Sequence, residues 1–385
     1  MTQEQHFPLN SLHRVNVEVE IRDIAARWSE RDDVVVRGNG IEAFVEADEL
    51  FIGAPRERQS NHGKLELELP LQPLNYAFKL ERGDISLVDA RGKLDVRLDS
   101  GDLQVDGGSG NLTVANGKGD VKVETFAGDV TVNSGSGDKV LSDITGDITV
   151  RSGKGDTKLT RGRGNTVIAT AAGDLVAADR DFTSLTVSSA NGDVVIRGGR
   201  LGQTAIETAK GDIVCGATLA LASHEITAAS GDIVVAVQRD LPVRVDAATT
   251  RGSINSDLPL VAIAQRGPRN PHGKRVVGST SDDANRAEIT LRTTSGDIKI
   301  QWSAERTTLG TAPERPAESA PSEAIPIPVR APQATGGNED PGNILSDDRR
   351  RVILAALADG SLSVEEAGQL LDAMDRSGDS TSGAR

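Results

Sequence analysis

Apolar and polar residues alternate in a strict rhythm between residues 83 and 174. In each nine-residue unit, apolar side chains occupy the second and fourth positions after a glycine, as Ile85 and Leu87 do after Gly83. Alternation with a period of two is typical of a β-strand that buries one face. A strand of about four or five residues and a tight turn together account for the nine. Equivalent pairs are Leu94 and Val96, Leu103 and Val105, Leu112 and Val114, Val121 and Val123, Val130 and Val132, and Ile148 and Val150.

The glycines that set this rhythm are nearly all followed by Asp or Asn. Eleven glycines spaced nine residues apart run from Gly83 to Gly173, and only Gly92 precedes another residue type, Lys93. Glycine accepts positive φ, and Asp or Asn can hydrogen-bond to nearby turn backbone, so we expect structural Asx turns. Two nonapeptides then form one coil, and stacked coils form two parallel sheets with strands about 4.8 Å apart. The predicted fold is mainly β, a thin parallel β-solenoid built as a two-sheet roll.

The rhythm has exceptions. Lys139, Thr157 and Thr166 occupy positions where an apolar residue is expected, which leaves two interpretations open, a locally wetter sheet or a shifted inward register. Beyond residue 174 the Gly-Asp or Gly-Ser steps come at intervals of 19, 19, 20 and 21 residues, so the solenoid continues with about 18–21 residues per coil. We expect residues 289–302 to form the closing, hairpin-like coil.

Composition divides the chain into five segments. Residues 1–82 hold most of the few aromatic residues, and we expect an N-terminal β segment that caps the solenoid. Residues 83–305 form the Gly-Asp repeat solenoid. Residues 306–345, rich in Pro, Ala and Glu, predict a disordered linker. Residues 346–376 predict a helical hairpin, and residues 377–385 a disordered tail.

A basic stretch, residues 266–275, interrupts the repeat among Gly and Pro residues. One interpretation is a protruding loop that binds an anion or a protein partner. The other is a solvated excursion from one coil, which we favour because a run of charge is usually a solvated surface.

The predicted hairpin is the candidate interaction element. Ser363 and Glu366 form a capping box at the start of its second helix, and Asp359-Gly360 breaks the chain between the helices. About 30 residues bury too little apolar surface to be firmly stable alone, so we expect docking to a protein partner or self-association. The apolar face comprises Val352, Ile353, Leu357, Leu370, Leu371 and Met374.

Charge and hydropathy narrow the function classes. The formal net charge of −14 argues against non-specific nucleic-acid binding. The sequence shows no signal peptide and no apolar run of 18 residues, so we expect a cytoplasmic protein without a membrane span, reaching a membrane only through a partner. The single cysteine, Cys215, excludes an internal disulfide, and its position predicts a small core residue.

Motifs for catalysis are missing from the sequence. It contains no Gly-rich phosphate loop, no nucleophile elbow and no paired-histidine metal spacing, so we predict neither an enzyme nor a cofactor. The stacked acidic turns are the one group that could bind a cation, because like charges about 4.8 Å apart repel unless they are bridged or hydrogen-bonded. These are Asp102, Asp120, Asp138 and Asp156 on one edge, and Asp129, Asp147 and Asn165 on the other.

A calcium-binding β-roll is the alternative interpretation of those turns. Calcium-bound β-rolls also use nonapeptides, of the form Gly-Gly-x-Gly-x-Asp. Here Asp directly follows Gly, and Lys122 occupies the later Asp position, so we favour structural turns and predict no metal site.

The Gly-Asp repeats, which close with Thr293-Thr294-Ser295-Gly296-Asp297-Ile298, resemble the bacterial toast-rack family, also labelled adhesin-like. Residues 351–371 look like the short bihelical SHOCT-like segment found beside toast-rack domains. The resemblance implies sensing or scaffolding in the bacterial envelope-stress response.

Several function classes remain open. We favour a non-enzymatic scaffold or interaction protein that docks or oligomerises through the C-terminal hairpin. Alternatives are a homopolymeric β-helix whose coil ends stack, and a surface adhesin-like or calcium-binding roll. A carbohydrate-active enzyme is disfavoured, because an 18-residue coil leaves little room for a groove and the repeats hold almost no aromatic residues.

Overall fold

A computed structural model describes residues 3–9, 12–53, 63–263, 273–281 and 285–303. Contacts divide the chain into two compact units, Met1–Thr307 and Thr308–Arg385, and every described residue belongs to the first. The predicted linker, hairpin and tail therefore lie outside the described residues.

The described residues form β-strands and no helix, which confirms a mainly β fold. The strands are β1 (Gln3–Pro8), β2 (Arg14–Ile21), β3 (Ile24–Ser29), β4 (Asp33–Gly38), β5 (Glu42–Glu46), β6 (Glu49–Gly53), β7 (Leu65–Pro70), β8 (Asn75–Arg82), β9 (Ile85–Ser100), β10 (Leu103–Lys118), β11 (Val121–Ser136), β12 (Lys139–Thr145), β13 (Ile148–Lys154), β14 (Thr157–Ala172), β15 (Leu175–Ala178), β16 (Asp181–Asn191), β17 (Val194–Lys210), β18 (Ile213–Leu219), β19 (Ser223–Ser230), β20 (Ile233–Val237), β21 (Val243–Arg251), β22 (Ile254–Ser256), β23 (Val261–Ile263), β24 (Lys274–Ser279), β25 (Ala287–Ser295) and β26 (Ile298–Trp302).

Strands β9, β10 and β11 each make one 18-residue coil. Leu103 in β10 pairs in parallel with Ile85 in β9 and with Val121 in β11. The expectation of short strands that end at every glycine was wrong, because parallel pairing continues through Gly92, Gly110 and Gly128. A glycine at positive φ bends the chain here while its backbone stays in the ladder.

The core is a continuous column of apolar side chains inside the coils. The residues at the second and fourth positions after each glycine of the repeat are buried from Ile85 to Val235, as the alternation predicts. A further inward position, seven residues after the first glycine of a coil, was missed. It carries Ala90, Phe126 and Ile144, all fully buried.

Antiparallel strands close the N-terminal end of the solenoid. The two sheets continue from β9 through β8, β2 and β6 on one side and through β3 and β7 on the other. The antiparallel pairs β5–β6, β4–β7 and β1–β4 then follow. Trp28 and Tyr76 are buried inside this end and meet edge to face, with ring centroids 5.1 Å apart. The last parallel strands are thus not left as open edges.

The C-terminal end corrects the predicted order of coils. Strands β25 and β26 do not close the solenoid but lie between two coils that precede them in sequence. One sheet runs β19–β25–β21 and the other β20–β26–β22, all in parallel. The antiparallel strands β24 and β23 flank β21 on its outer side. Because β24 pairs with the outer edge of β21, β25 pairs with the inner edge of β21.

Candidate functional site

The sequence-predicted interaction residues, Val352, Ile353, Leu357, Leu370, Leu371 and Met374, lie outside the described residues. Of the basic stretch, residues 266–272 also lie outside them, whereas Lys274 and Arg275 belong to β24. The candidate surfaces that follow are therefore those of the solenoid itself.

Arg275 is engaged by a carboxylate rather than presented for an anion. Its Nε and Nη2 donate to Asp246 at 2.9 and 2.6 Å, and Arg292 Nη2 donates to the same carboxylate at 2.8 Å. The Arg275 hydrogen bond and Arg292 hold the pKa of Asp246 well below its usual range. The cluster joins the neighbouring strands β24, β21 and β25.

A ladder of acidic side chains runs along one edge of the solenoid. In each rung the Oδ1 of an Asp accepts the backbone N–H of the equivalent residue one coil further, at 2.7–3.1 Å. Eleven such bonds join Asp23, Asp84, Asp102, Asp120, Asp138, Asp156, Asp174, Asp193, Asp212, Asp232, Asp297 and Ser253, in that spatial order. We call this set the Asp ladder.

The Asp ladder corrects the predicted Asx turns. Each carboxylate bonds to the backbone of the next coil, because parallel stacking places successive turns directly over one another. A shorter ladder joins Asp129, Asp147 and Asn165 on the other edge. There the Asn165 side-chain amide, which donates to Asp147, lowers the pKa of that carboxyl.

Lys139 is a lysine buried inside the solenoid, with 0% of its surface exposed. Its Nζ donates to the carbonyl oxygens of Gly137 at 2.8 Å and Gly155 at 3.0 Å, and to Ser152 Oγ. Burial lowers the pKa of Lys139, while the nearby ladder carboxylates, Asp138 first, oppose that shift. The ladder thus has a countercharge beneath it.

The structure distinguishes between a locally wetter sheet and a shifted inward register at Lys139, Thr157 and Thr166. Thr157 and Thr166 face the core like Lys139, with 2% and 0% exposure, so the inward register does not shift. The core is instead polar at these coils, and the hydroxyls of both threonines have no hydrogen-bond partner among the described residues.

Arg180 is a second buried cation, and sequence analysis missed it. It lies at the inward position that Ile144 and Gly162 occupy in the preceding coils. Its Nη1 donates to Ile144 O at 2.8 Å and its Nη2 to Gly146 O at 3.1 Å, across two coils. A Cβ at Gly162 would come within 2.8 Å of the guanidinium, so the glycine leaves room for it. Burial lowers the pKa of Arg180 to about 10.

A groove of about 810 Å³ follows six coils across the sheet that contains β13 and β16. Gly, Ala, Ser and Thr form most of its lining, and Arg151 and Glu207 are the ionisable side chains in it. They lie three coils apart, roughly 14 Å at the usual strand spacing. Catalytic acid–base groups act within hydrogen-bond reach of one reacting group, so this groove offers no such pair.

The outer surface of the other sheet carries four valines in register. Val176, Val195, Val214 and Val234 pair in succession through β15, β17, β18 and β20. Each lies between two inward-facing residues, so the side chains point away from the core. We call these four residues the valine column.

Other reactive groups in the described part of the chain are buried or dispersed. Burial raises the pKa of the Cys215 thiol to about 11, and the residue occupies the predicted core position. The described residues contain no group of three His, Cys, Asp or Glu side chains placed to hold a metal ion. No helix within the described ranges is long and apolar enough to cross a membrane.

The comparison with protein families decides the identity of this repeat. The family described as Toastrack DUF4097 matches residues 31–145 and again residues 128–301. The chain belongs to the Toastrack family. This confirms the toast-rack resemblance, while the Toastrack match ends before the SHOCT-like segment, which stays a prediction.

Solved structures similar to this Toastrack chain are distant. A protein described as a cell adhesion protein, from Clostridium sporogenes, is 10% identical, with 78% of this chain and 100% of that chain covered and a TM-score of 0.18. Proteins described as adhesins from Bacteroides fragilis and Parabacteroides distasonis are 13% and 10% identical, each covering 78% of this chain and 97% of theirs, with TM-scores of 0.24 and 0.27. TM-scores this low carry no structural argument. No curated protein matches the chain.

Proposed function

We propose that this Toastrack protein is a non-enzymatic interaction scaffold in the cytoplasm, with residues 346–376 as its docking or self-association element. The observation that carries the proposal is the uninterrupted Asp ladder, which joins the turns from Asp23 to Ser253. An elongated stack that is hydrogen-bonded from coil to coil can present long surfaces to partners. The absence of an acid–base pair from the 810 Å³ groove supports a non-catalytic role.

A role in the bacterial envelope-stress response is part of the proposal and rests on the SHOCT-like resemblance of residues 351–371. The short apolar hairpin and the Pro-rich linker that the sequence predicts would be suited to capture a partner. The partner we expect is a protein, and the scaffold would need no cofactor.

The experiment compares the full chain with a chain that ends at Glu305, by size-exclusion chromatography with light scattering. We expect either an oligomer that the truncation makes monomeric, or a monomer whose residues 340–385 capture a partner when used as bait. The full chain with Leu370→Asp and Leu371→Asp should lose that association. A matched charge control, Ser377→Asp with Ser380→Asp, should keep it. Association that survives both the truncation and the leucine changes would exclude the hairpin as the docking element.

Homopolymeric stacking of coil ends receives less support. End-to-end stacking needs open parallel edges, whereas β1, β4 and β5 at one end and β23 and β24 at the other pair antiparallel. Filaments seen by electron microscopy of the full chain would revive that alternative.

Surface adhesion is the second candidate function, because the family that the Gly-Asp repeats resemble is also labelled adhesin-like. Fractionation of cells that express the full chain distinguishes the cytoplasmic scaffold from the surface adhesion protein. Recovery in the cytoplasm agrees with the scaffold, and recovery on the cell surface would favour adhesion.

A further inference from the structure

Strand β5 is the outermost strand of one sheet at the N-terminal end of the solenoid. It pairs with β6 across the two-residue turn Ala47-Asp48, and β6 pairs on its other side with β2. The second edge of β5 has no strand partner among the described residues. In an antiparallel ladder, alternate residues direct both backbone groups to the same neighbour, beginning with the pair that flanks the turn. The backbone of Phe44 is therefore directed to β6, and the N–H and C=O groups of Ala43 and Val45 are directed to the open edge.

Two adjacent apolar side chains of β5 are exposed to solvent. Phe44 is 54% exposed and Val45 is 48% exposed. They lie on opposite faces of the strand, because successive side chains alternate. The other large apolar side chains that are exposed within the described ranges are isolated in sequence: Leu71, Val167, Leu221 and Val261. Apolar side chains on both faces, beside open backbone groups, form the surface against which an added strand packs.

Glu42 and Phe44 of β5 line a cavity of about 490 Å³ beside this edge. Phe44 stacks on Phe51 of β6, with ring centroids 5.5 Å apart and an angle of 19° between the rings, and Phe51 also lines the cavity. The ionisable residues of the lining are Arg14, Glu18, Glu42 and Glu49. A guanidinium group stacks on aromatic rings and pairs with carboxylates, so the cavity fits the side chain of an added Arg.

The carboxylates of Glu42 and Glu46 lie at the two ends of β5 and are exposed. Neither forms an ion pair or a side-chain hydrogen bond with another described residue. The neighbouring Glu18, in contrast, pairs with Lys79 at 2.6 Å. Opposite charges that face each other on adjacent strands stabilise a sheet. The two free carboxylates therefore favour an added strand with basic residues at the positions opposite them.

A second copy of the chain is a poor occupant of this edge. Antiparallel pairing of two β5 strands centred on Phe44 would place Glu42 and Glu46 directly opposite each other at two positions. Like charges in that arrangement are destabilising. Each copy would also bring a formal net charge of −14. The charge of the edge thus favours a basic segment from a different protein.

We propose that the open edge of β5 binds an extended segment of a partner protein by β-strand addition, with basic residues of that segment paired to Glu42 and Glu46. The backbone of the segment continues the ladder at Ala43 and Val45, and an Arg guanidinium of the segment lies against the Phe44 ring. This inference rests on the proposed role as an interaction protein, and it names a surface on the solenoid rather than in residues 346–376.

The test titrates the full chain into the fluorescently labelled peptide Ser-Arg-Val-Thr-Val-Arg-Ser and measures fluorescence anisotropy. The peptide is symmetric around its Thr, so its two Arg residues lie opposite Glu42 and Glu46 in either strand direction. Its control has Glu in place of both Arg residues. We expect the Arg peptide to bind at least about tenfold more tightly, and to bind less tightly at 0.5 M than at 0.05 M salt because exposed charges are screened. Equal binding of the two peptides would overturn the proposal.

Methylation of a peptide nitrogen distinguishes strand addition from charge attraction alone. In the register centred on Phe44, the N–H groups of the two peptide valines face β5, and the N–H of the central Thr faces away. An N-methyl group on the second Val removes a ladder donor and should weaken binding at least about tenfold. The matched N-methyl group on Thr should leave binding nearly unchanged. Equal effects of the two methyl groups would exclude strand addition.

Protein variants locate the site. Val45→Pro removes an N–H at the open edge, where Pro is tolerated, and should weaken binding at least about tenfold. Glu42→Gln with Glu46→Gln should also weaken binding, because it removes both opposing charges. The charge-matched control, Glu225→Gln with Glu288→Gln, alters two exposed carboxylates in β19 and β25 and should leave binding unchanged.

A second edge variant keeps the test decisive. If Val45→Pro melts at a lower temperature, Phe44→Thr takes its place, since it removes the exposed ring and keeps a residue that is favoured in strands. Binding that is insensitive to the edge variant and to the Glu changes would place the peptide elsewhere and refute the assignment. A wild-type dimer in light scattering that Val45→Pro converts to a monomer would assign the edge to a second copy and also overturn the proposal.

The outcomes separate this inference from the proposed function. Loss of the hairpin-dependent association with retained peptide binding would refute the role of residues 346–376 alone. The reverse result would refute the β5 edge alone.

Discussion

Asp297 Oδ1 accepts the backbone N–H of Ser253 at 2.7 Å, although Asp297 follows Ser253 by 44 positions in the chain. In every other rung of the Asp ladder, the donor comes later in the sequence than the acceptor. The reversed rung marks the place where the last coil lies between two coils that precede it in sequence. The coil of β25 and β26 thus has a parallel partner on both sides.

Removing this inserted coil should destabilise residues that precede it. A chain that ends at Arg286 lacks Ile289, Leu291, Ile298 and Ile300, which are fully buried and each worth about 1.5–3 kcal/mol. We expect hydrogen exchange to show lost amide protection throughout residues 243–256. A chain that ends at Glu305 should keep it. Intact protection in the shorter chain would mean that the coil of β21 and β22 docks without the insert.

Gly110 should tolerate no side chain. It has φ of +126°, and a Cβ there would lie 2.0 Å from the carbonyl oxygen of Gly92 in the preceding coil. Gly110→Ala should therefore cost about 3 kcal/mol or more in the free energy of unfolding, measured by chemical denaturation. Gly216→Ala is the control, because its Cβ would approach no atom closer than 3.7 Å. Similar losses in both variants would contradict the steric argument.

Stability should depend on alkaline pH through Lys139. Burial lowers its pKa in the folded state below the ordinary 10.5, so the folded protein binds this proton less tightly than the unfolded chain does. The cost of the buried charge is complete below the folded-state pKa and disappears as pH rises toward 10.5. The free energy of unfolding of the wild type, relative to Lys139→Met, should therefore increase from pH 7 to pH 10. The exposed-lysine control, Lys158→Met, should show no such trend, and a flat difference for Lys139→Met would refute the assignment.

Acid should weaken the C-terminal end through Asp246. The pKa of this carboxyl is depressed by Arg275 and Arg292, so its stabilisation is present above the unfolded pKa of about 3.8 and is lost as pH falls through the folded pKa. Asp246→Asn should lower the free energy of unfolding by about 2 kcal/mol at neutral pH. Below pH 4 the difference in stability between this variant and the wild type should become smaller. Thermal melts between pH 2 and 7 measure the effect, with Asp106→Asn as an exposed control. A gap that stays constant with pH would exclude a role for this charge.

The coil could be predicted from the sequence because its period and its turn residues agree. Gly110 needs positive φ and the apolar pairs need one buried face, and both requirements agree with the predicted coil of two nonapeptides. The alternation also identified Cys215 as a core residue. Side-chain packing was harder to predict from the sequence. The inward orientation of Lys139 depends on carbonyl oxygens of its own coil and of the neighbouring coil. The period of the repeat alone does not reveal these hydrogen-bond partners.

The order of the coils could not be predicted from the repeat. Ile289 and Leu291 would fit above any coil with the same alternation, so periodicity does not distinguish an inserted coil from a terminal one. Antiparallel pairing of β24 with the outer edge of β21 makes the difference, and it involves a stretch where the repeat lapses. Arg180 was missed for a related reason, since the partners it reaches lie in other coils. The predicted interaction face, Val352 to Met374, stays a prediction.

The inserted coil also bears on the making of the protein. Domains tend to fold from the N-terminus while the chain is synthesised, and a solenoid with coils in sequence order could add them one at a time. Here residues 243–256 leave the ribosome before residues 287–302, yet their parallel neighbour is the later segment. These earlier strands must either wait without a parallel partner or pair with β19 and β20 and then be displaced. The final step of assembly, in which β25 and β26 pair with β21 and β22, therefore cannot occur until translation has passed residue 302.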